Sequence, residues 1–537
     1  MKLLELPNEL LFKIFQYFEE YEMLNLYTVN KTFKLLGEEY VIRVPSKILK
    51  KGFTLRGYQY NVCKWMKNRS ELSVNGIVGG VIGLEMGLGK TLCSITYCKL
   101  NNNENNKNKL PTLIICNKMQ LSVWKTEIDK FFDNTKVLMY HKSLLNEDEY
   151  NSLNLSKLSK YEFIVTTYEV CMNTFKKVSG MRRVSSVGPS LLFTLEFPRI
   201  FTDESHRFRN GSSVTLRALC KLKSKEKWCI TGTPLVNTPT DIQSLFTFCG
   251  LDTSVSPKEF VDVFSTRLNK CVITLSSKDV HMNLPPRKVI RMVDKLTPEE
   301  EMIYEGLKTQ TCHVFFTTKN FMNILAMFTK LRQTCISPHI INDYVDNSSS
   351  RKKEKNIDPT QSTRIINATK LIRRITKKKK KVLVFCTFVS ALKLLKKSIK
   401  NKYPRTEVML IDGSTEMKER DHIIDRFQNT TKNNVLLMSY QIGALGYTLT
   451  NCSHIILLNT WWNNTVIKQA IARCHRFGQK EKVTVYSFEV KDSIERHMKE
   501  VCKNKSKIND EFMDGEKSGD TINKKTLGKI LFSNKKY

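Results

Sequence analysis

The sequence predicts an α/β protein of two lobes, each a parallel sheet covered by helices, and three observations carry that prediction. Between residues 382 and 488, short apolar runs (VLVFCTF, EVMLI, NVLLMSY, HIILLN, VTVYSF) alternate with helix-like segments, the rhythm of parallel strands joined by helical crossovers. In the first half, GGVIGLEMGLGKT (79–91) reads as an apolar strand, a glycine-rich turn and the opening of a helix. Between these halves, VDNSSSRKKEKNIDPTQS (346–363) has the composition of a linker.

Taken in order, residues 1–46 form a small helical module: apolar positions recur at helical spacing and Pro7, Asn8 and Glu9 make a helix start. Residues 50–250 hold the first lobe, interrupted by the polar stretch NNNENNKNK (101–109) and the basic, Ser- and Gly-containing stretch KKVSGMRRVSSVGPS (176–190), both expected as loops. Residues 251–345 lose the strand rhythm and show longer helical patterns such as NFMNILAMFTKLRQTC, so a helical protrusion is expected there. After the 346–363 linker, residues 364–502 make the second lobe and 503–537 a polar, basic tail.

Composition narrows the function. With Lys+Arg 87 against Asp+Glu 52, the net charge of +35 is far more than folding requires and points to a polyanionic partner. No apolar run is long enough to cross a membrane, and the N-terminus lacks the pattern of a secretion signal, so an intracellular, soluble protein is expected. The 15 cysteines are scattered without a C-x-x-C, which supports neither a zinc ribbon nor a disulfide framework; they are expected as buried small side chains.

Two segments carry chemistry. In the turn of residues 79–91, glycines let backbone N–H groups approach phosphates, Lys90 can reach the β- and γ-phosphates, and Thr91 can hold Mg²⁺. The strict template wants glycine where Leu84 stands, so the reading rests on Gly87, Gly89, Lys90 and Thr91; a Gly-Lys-Thr turn capping an ordinary helix is the competing reading of this segment alone. RIFTDESHRFRN (199–210) places Asp203 and Glu204 behind an apolar run, where a parallel strand would present its C-terminal edge beside that turn. Asp203 is then expected to hold Mg²⁺ and Glu204 to orient and deprotonate the attacking water, although an Asp-Glu pair by itself also suits a solvated turn.

Further segments carry a resemblance. LRGYQYNVCKWM (55–66), GLEMGLGKT (83–91), LIICNKMQLSVWKTEIDKF (113–131), IVTTYE (164–169), DESH (203–206) and ITGTPLVN (230–237) occur in this order in the first half. KVLVFCTFVSALKLL, LIDGSTEMKERDHIIDRFQ, GALGYTLTNCSHIILLNTWWN and QAIARCHRFGQKEKVTVY follow in the second. Together, over roughly residues 50–500, they resemble the motifs of the SNF2 family of superfamily 2 helicase-like ATPases. The resemblance implies two RecA-like lobes, ATP and Mg²⁺ as cofactors, and translocation on double-stranded DNA without productive strand separation. It implies an adenine contact at Gln59 and a phosphate cradle of Leu84, Glu85, Met86, Gly87, Leu88, Gly89, Lys90 and Thr91. Leu84, where the family has an acid, and Ser205 in the DEAH-like box are departures.

Arg473 and Arg476 are spaced i, i+3, with Gln469 a turn earlier, so on a helix they share a face. By resemblance they act as arginine fingers on the transferring γ-phosphoryl group, with Gln469 beside them. Thr231, Gly232, Thr233 and Pro234 couple phosphate state to the DNA groove in the same reading. Gly443, Gly446 and Thr448 fit a backbone approaching DNA phosphates, and Trp461 and Trp462 fit packing or DNA-proximal aromatics. Basic pairs and runs at Lys176–Lys177, Arg182–Arg183, Arg351–Lys353 and Lys377–Lys381 are expected to touch phosphates without reading bases.

Residues 1–36 also resemble an F-box, which docks a Skp1-type adaptor of a ubiquitin ligase; an amphipathic cap on the first lobe fits the same pattern, and both readings stand. The compact, Lys/Asn-rich chain resembles the SNF2-like global transactivators of large DNA viruses, which implies transcription regulation in a host nucleus. Nucleosomes or other DNA-bound proteins are the implied remodelling targets. The competing function is an F-box adaptor or transcriptional co-regulator that uses a helicase-derived body as a DNA platform, with Leu84 and Ser205 as its hints.

Overall fold

The computed structural model describes residues 41–42 and 48–499, apart from 75–76, 102–109, 181–190, 210, 212, 233–238, 253–254, 267, 277–278, 281–283, 319, 342–358, 431–433, 444–446, 462–463 and 477. The F-box-like module, most of both expected loops, the basic pairs Arg182–Arg183 and Arg351–Lys353, and the tail lie outside the described residues. The chain divides into two units between Asn283 and Leu284.

In the first unit, seven strands form one parallel sheet: β1 (Gly79–Leu84), β2 (Thr112–Cys116), β3 (Val137–Met139), β4 (Phe163–Thr167), β5 (Glu196–Asp203), β6 (Lys223–Ile230) and β7 (Val272–Leu275), in the order β3-β4-β2-β5-β6-β1-β7. GGVIGL, TLIIC and FIVTT are buried along their whole length, as expected of strands covered on both faces. Helices α1 (Gly57–Glu71), α2 (Lys90–Leu100), α3 (Leu121–Phe131) and α4 (Tyr168–Val178) belong to the same unit. From β1 the chain passes through α2 to β2, leaving a gap in the sheet that β5 and β6 later fill, so the loops after β1, β6 and β5 open side by side. The register aligns them, because Asp203 pairs with Ile230 and Ile230 with Ile82.

The second unit holds a six-stranded parallel sheet: β8 (Arg287–Asp294), β9 (Val382–Cys386), β10 (Glu407–Ile411), β11 (Asn434–Ser439), β12 (His454–Leu457) and β13 (Val483–Val490), in the order β8-β13-β12-β9-β11-β10. Its helices include α5 (Pro298–Thr317), α6 (Phe321–Thr334), α7 (Thr363–Lys377), α8 (Met417–Asn429) and α9 (Asn464–Ile471). Helix α5 starts where the sequence says TPEE: Pro298 follows the cap residue Thr297, whose hydroxyl accepts the Glu300 N–H at 3.3 Å while the Glu300 carboxylate accepts the Thr297 N–H at 3.0 Å.

Two sequence expectations need correction here. Residues 251–345 are not one helical protrusion: they supply the edge strand β7 to the first sheet and the edge strand β8 to the second, with α5 and α6 following. VITL is only four residues long and RKVIRMVD has no clean alternation of polar and apolar positions, so neither signals a strand until its neighbour supplies a ladder. The 346–363 segment also ends inside the second unit, where Ser362 is buried against Ser337 with their hydroxyl oxygens 2.6 Å apart, and the Thr363 N–H donates to Glu300 at 2.9 Å. Of the 14 cysteines described, all are free thiols, and all but Cys220 and Cys312 are buried.

Candidate functional site

The turn between β1 and α2 is built around its lysine. Lys90 folds back so that its Nζ donates to the Leu84 carbonyl at 3.0 Å. Gly87 and Gly89 sit at positive φ (89° and 85°), a region that side chains with a Cβ disfavour. A Cβ on Gly89 would also stand 2.5 Å from Gln59 Nε2. Gln59 and Tyr58 both donate to the Leu88 carbonyl at 3.2 Å, and the Gln59 carbonyl accepts the Arg56 N–H at 3.0 Å. The expected adenine contact thus braces the glycine turn from below in this structure. Leu84, expected to line the cradle, is fully buried in the core, because β1 is an interior strand; only its carbonyl faces the turn. Glu85 is exposed, while Met86 and Thr91 are half-buried.

At the adjoining edge, Asp203 ends β5 and is 8 % exposed. Its Oδ2 accepts from Trp124 Nε1 at 2.9 Å and Gln120 Nε2 at 3.2 Å, and its Oδ1 accepts the Glu204 N–H at 2.9 Å. Burial first, and then the charge of Glu204, push the Asp203 carboxyl up to about 6, against the lowering pull of the Trp124 hydrogen bond and of Lys90. Glu204 adopts the left-handed conformation (φ 53°, ψ 50°), which costs a non-glycine residue about 1 kcal/mol or more and turns its side chain out of the strand direction. His206 Nδ1 lies 3.3 Å from Glu204 Oε2.

Ser205 explains its place in the DESH turn. Its hydroxyl lies 2.8 Å from the Thr202 carbonyl and 3.1 Å from the Ile230 carbonyl, tying the turn after β5 to the end of β6. Thr231 and Gly232 follow Ile230, and a Cβ on Gly232 would come within 3.4 Å of Lys90 Nζ and 3.2 Å of Met86. The structure therefore brings Lys90, Met86 and Gly232 together, with Asp203 and Glu204 at the same sheet edge. Thr233 and Pro234 lie outside the described residues. Gln120, Trp124 and Tyr168, whose hydroxyl donates to the Asp203 carbonyl at 2.7 Å, are site residues that sequence reasoning misses. The only sequence signal for them is their place in the segments 113–131 and 164–169.

The donors at this edge suit a magnesium nucleotide. Among the described residues no group of three or more His, Cys, Asp or Glu could hold a metal ion. A hydrated Mg²⁺ needs few protein ligands when phosphate oxygens supply the rest, so Asp203 at the end of β5 and Thr91 at the start of α2 are the residues that would hold one.

In the second unit the arginine segment departs from expectation. Helix α9 ends at Ile471, and Arg473 and Arg476 lie in the turn beyond it, not on a shared helical face. The backbone tightens there: the N–H groups of Arg473 and Cys474 bond three residues back, to the carbonyls of Ala470 and Ile471, as terminal helix carbonyls often do. Arg473 is 8 % exposed with its Nε on the Gln469 carbonyl at 3.1 Å; Gln469 is buried and Arg476 half-buried.

Two other expectations change in this unit, at Gly443 and in the Lys377–Lys381 run. Gly443 lacks a Cβ for packing, since one would sit 2.3 Å from the Phe385 ring, so its small size serves the core rather than an approach to phosphate. The Thr448 carbonyl is taken by Gln428 Nε2. In the Lys377–Lys381 run, Lys380 pairs with Glu481 at 2.5 Å and Lys381 caps α8 through the Phe427 and Gln428 carbonyls, leaving Lys377, Lys378 and Lys379 exposed. Trp461 packs beneath the Arg332 guanidinium, 4.6 Å from the ring centroid; Gly446 and Trp462 lie outside the described residues.

A family model described as "SNF2-related domain" matches residues 58–340, and one described as "Helicase conserved C-terminal domain" matches 364–478. The protein "Putative helicase 172L" of Invertebrate iridescent virus 6 is 29 % identical, over 90 % of this chain and 95 % of its own length. "Uncharacterized ATP-dependent helicase MG018" of Mycoplasma genitalium is 26 % identical over 84 % of this chain, which spans only 42 % of that relative. A solved structure titled "Sulfolobus solfataricus SWI2/SNF2 ATPase core in complex with dsDNA" shares 25 % identity, covering 88 % of this chain and 95 % of that one at a TM-score of 0.38. With the first family model spanning more than half of its length, the chain belongs to the SNF2 family of helicase-like, ATP-dependent enzymes.

Proposed function

We propose that this chain hydrolyses magnesium ATP in response to duplex DNA and uses the energy to move along it and displace or rearrange bound protein. The observation that supports this reading best is the convergence of Lys90, Gly232 and the Asp203–Glu204 pair on the ends of three neighbouring strands. That is where ligands bind in parallel α/β sheets. When bound, ATP would supply the transferable phosphoryl group and Mg²⁺ positive charge to offset that of its phosphates. In this reading Lys90 leaves the Leu84 carbonyl for the phosphates, Gly87 and Gly89 keep the turn open to them, and Thr91 and Asp203 hold the ion. Glu204, turned out of line by its left-handed backbone, orients the attacking water and takes its proton. Arg473 and Arg476 keep the arginine-finger role that the resemblance implies for them, and their removal is expected to lower turnover by about 10³-fold or more.

The partner reading is supported by the charge of +35 and by exposed lysines at 377–379. Contacts of that kind neutralise backbone phosphates and leave sequence unread. The setting, transcription regulation in a host nucleus, rests on the resemblance of the compact, Lys/Asn-rich chain to viral SNF2-like transactivators.

The deciding experiment is ATPase rate without nucleic acid, with single strands and with duplex, measured in parallel. Duplex is expected to stimulate most. Lys90→Ala and Glu204→Gln should each lower the rate by at least about 10²-fold, with DNA binding retained. Equal rates in all three conditions, or full turnover in Glu204→Gln, would overturn the reading.

A further inference from the structure

We infer that Trp124 and Gln120 are positioning residues that confine Asp203 to a single coordinating direction. This rests on the reading of Asp203 as the ion-holding carboxylate. An ionised carboxylate offers about four lone-pair directions on its two oxygens. Trp124 Nε1 at 2.9 Å and Gln120 Nε2 at 3.2 Å occupy both directions of Oδ2, and the Glu204 N–H at 2.9 Å takes one of Oδ1. One direction, on Oδ1, is left. A cation or its bound water is therefore met end-on by one oxygen and not chelated by two.

Both donors come from one surface, because they are four residues apart at the start of α3. Their polarity is set. An indole nitrogen only donates, and Gln120 presents its NH₂ to Asp203 because its carbonyl oxygen accepts the Asn117 N–H at 3.2 Å. Trp124 is 2 % exposed and Gln120 8 %, so water cannot replace them freely. The backbone of Asp203 is held separately, by the Tyr168 hydroxyl on its carbonyl at 2.7 Å and by Ser205 on Thr202. Removing either donor thus releases the carboxylate while the strand end stays in place. Neutral donors are well matched to this role, since they orient the carboxylate without cancelling the charge that attracts the ion.

The experiment uses the full chain and a fluorescent ATP analogue, titrated once with Mg²⁺ and once with EDTA, so no turnover is needed. Wild type should bind more tightly with Mg²⁺. Trp124→Phe and Gln120→Leu should each lose about 10-fold or more of that gain, with affinity in EDTA little changed and a cooperative thermal transition retained. If both variants keep the gain while Asp203→Asn loses it, the positioning role is wrong and the ion-holding role stands. If Asp203→Asn also keeps it, the ion is held elsewhere and both readings fall. Should Trp124→Phe unfold, Gln120→Leu decides alone, because its side chain can be removed without emptying the core.

Discussion

Asp203 and Asp294 are each the last residue of a parallel strand, one interior and one at a sheet edge, and each nearly buried (8 % and 2 % exposed), yet their surroundings are opposite. Asp294 meets Arg364 Nε at 2.8 Å and Asn367 Nδ2 at 2.8 Å, and the same guanidinium forks onto both Glu495 oxygens at 3.0 and 2.9 Å. Arg364 is 1 % exposed, and its remaining reach goes to the Leu458 carbonyl at 3.2 Å. That cluster is closed: charges and hydrogen bonds satisfy one another and join β8, α7 and the segment after β13. Asp203 receives neutral donors, a like-charged neighbour and the pull of the Lys90 charge, and among the described residues it forms no ion pair. A buried carboxylate with its own arginine is architecture; one met by neutral donors keeps its charge, which is what the ion-holding role proposed for Asp203 requires.

The contrast can be broken most forcefully at Arg364. Arg364→Met should destabilise the second unit by about 3 to 5 kcal/mol, because it strands Asp294 and Glu495 in the interior. Urea unfolding monitored by hydrogen exchange in β8 would read it, and a cost no larger than a surface substitution, about 0.5 kcal/mol, would refute the closed-cluster description.

Asp203 should respond to pH in the other direction. Its folded pKa of about 6 lies above its ordinary 3.8, so the fold favours the protonated carboxyl. In EDTA this contribution is complete below about pH 4 and is lost as pH rises through about 6, so stability should fall over that window. Asp203→Asn should flatten the profile, and magnesium nucleotide should restore the wild type at the high end. Superimposable profiles for wild type and variant in EDTA would show that the carboxylate is already compensated.

The smallest expected effect sharpens the role of the neutral scaffold. Ser205→Ala removes hydrogen bonds to two carbonyls at the ends of β5 and β6 and should cost about 1 kcal/mol. Thermal unfolding should register it in the first unit, and an unchanged midpoint would mean that the DESH turn is held by Tyr168 and the backbone alone.

Much of this is legible in the residues alone. The α/β class, the turn of Gly87, Gly89, Lys90 and Thr91, and the Asp203–Glu204 pair after a strand follow from local chemistry, in which the informative residues lie within a few positions of one another. The edge strands β7 and β8 are not legible there, because the four residues of β7 become a strand only when β1 offers a ladder, and the eight of β8, without clean alternation, only when β13 does. Nor is the end of α9, where a spacing of three residues mimics a helical face that the backbone has already left.

The sequence by itself determined which groups could meet a nucleotide, since glycine turns, a lysine and paired acids state their chemistry over a dozen residues. Tertiary structure alone decided what surrounds each acid. The donors around Asp203 lie 79 and 83 positions away, and the arginine that neutralises Asp294 lies 70 positions away. A carboxylate's role is set by the charges and hydrogen bonds folded around it, and over such separations only the sheet order brings those partners to it.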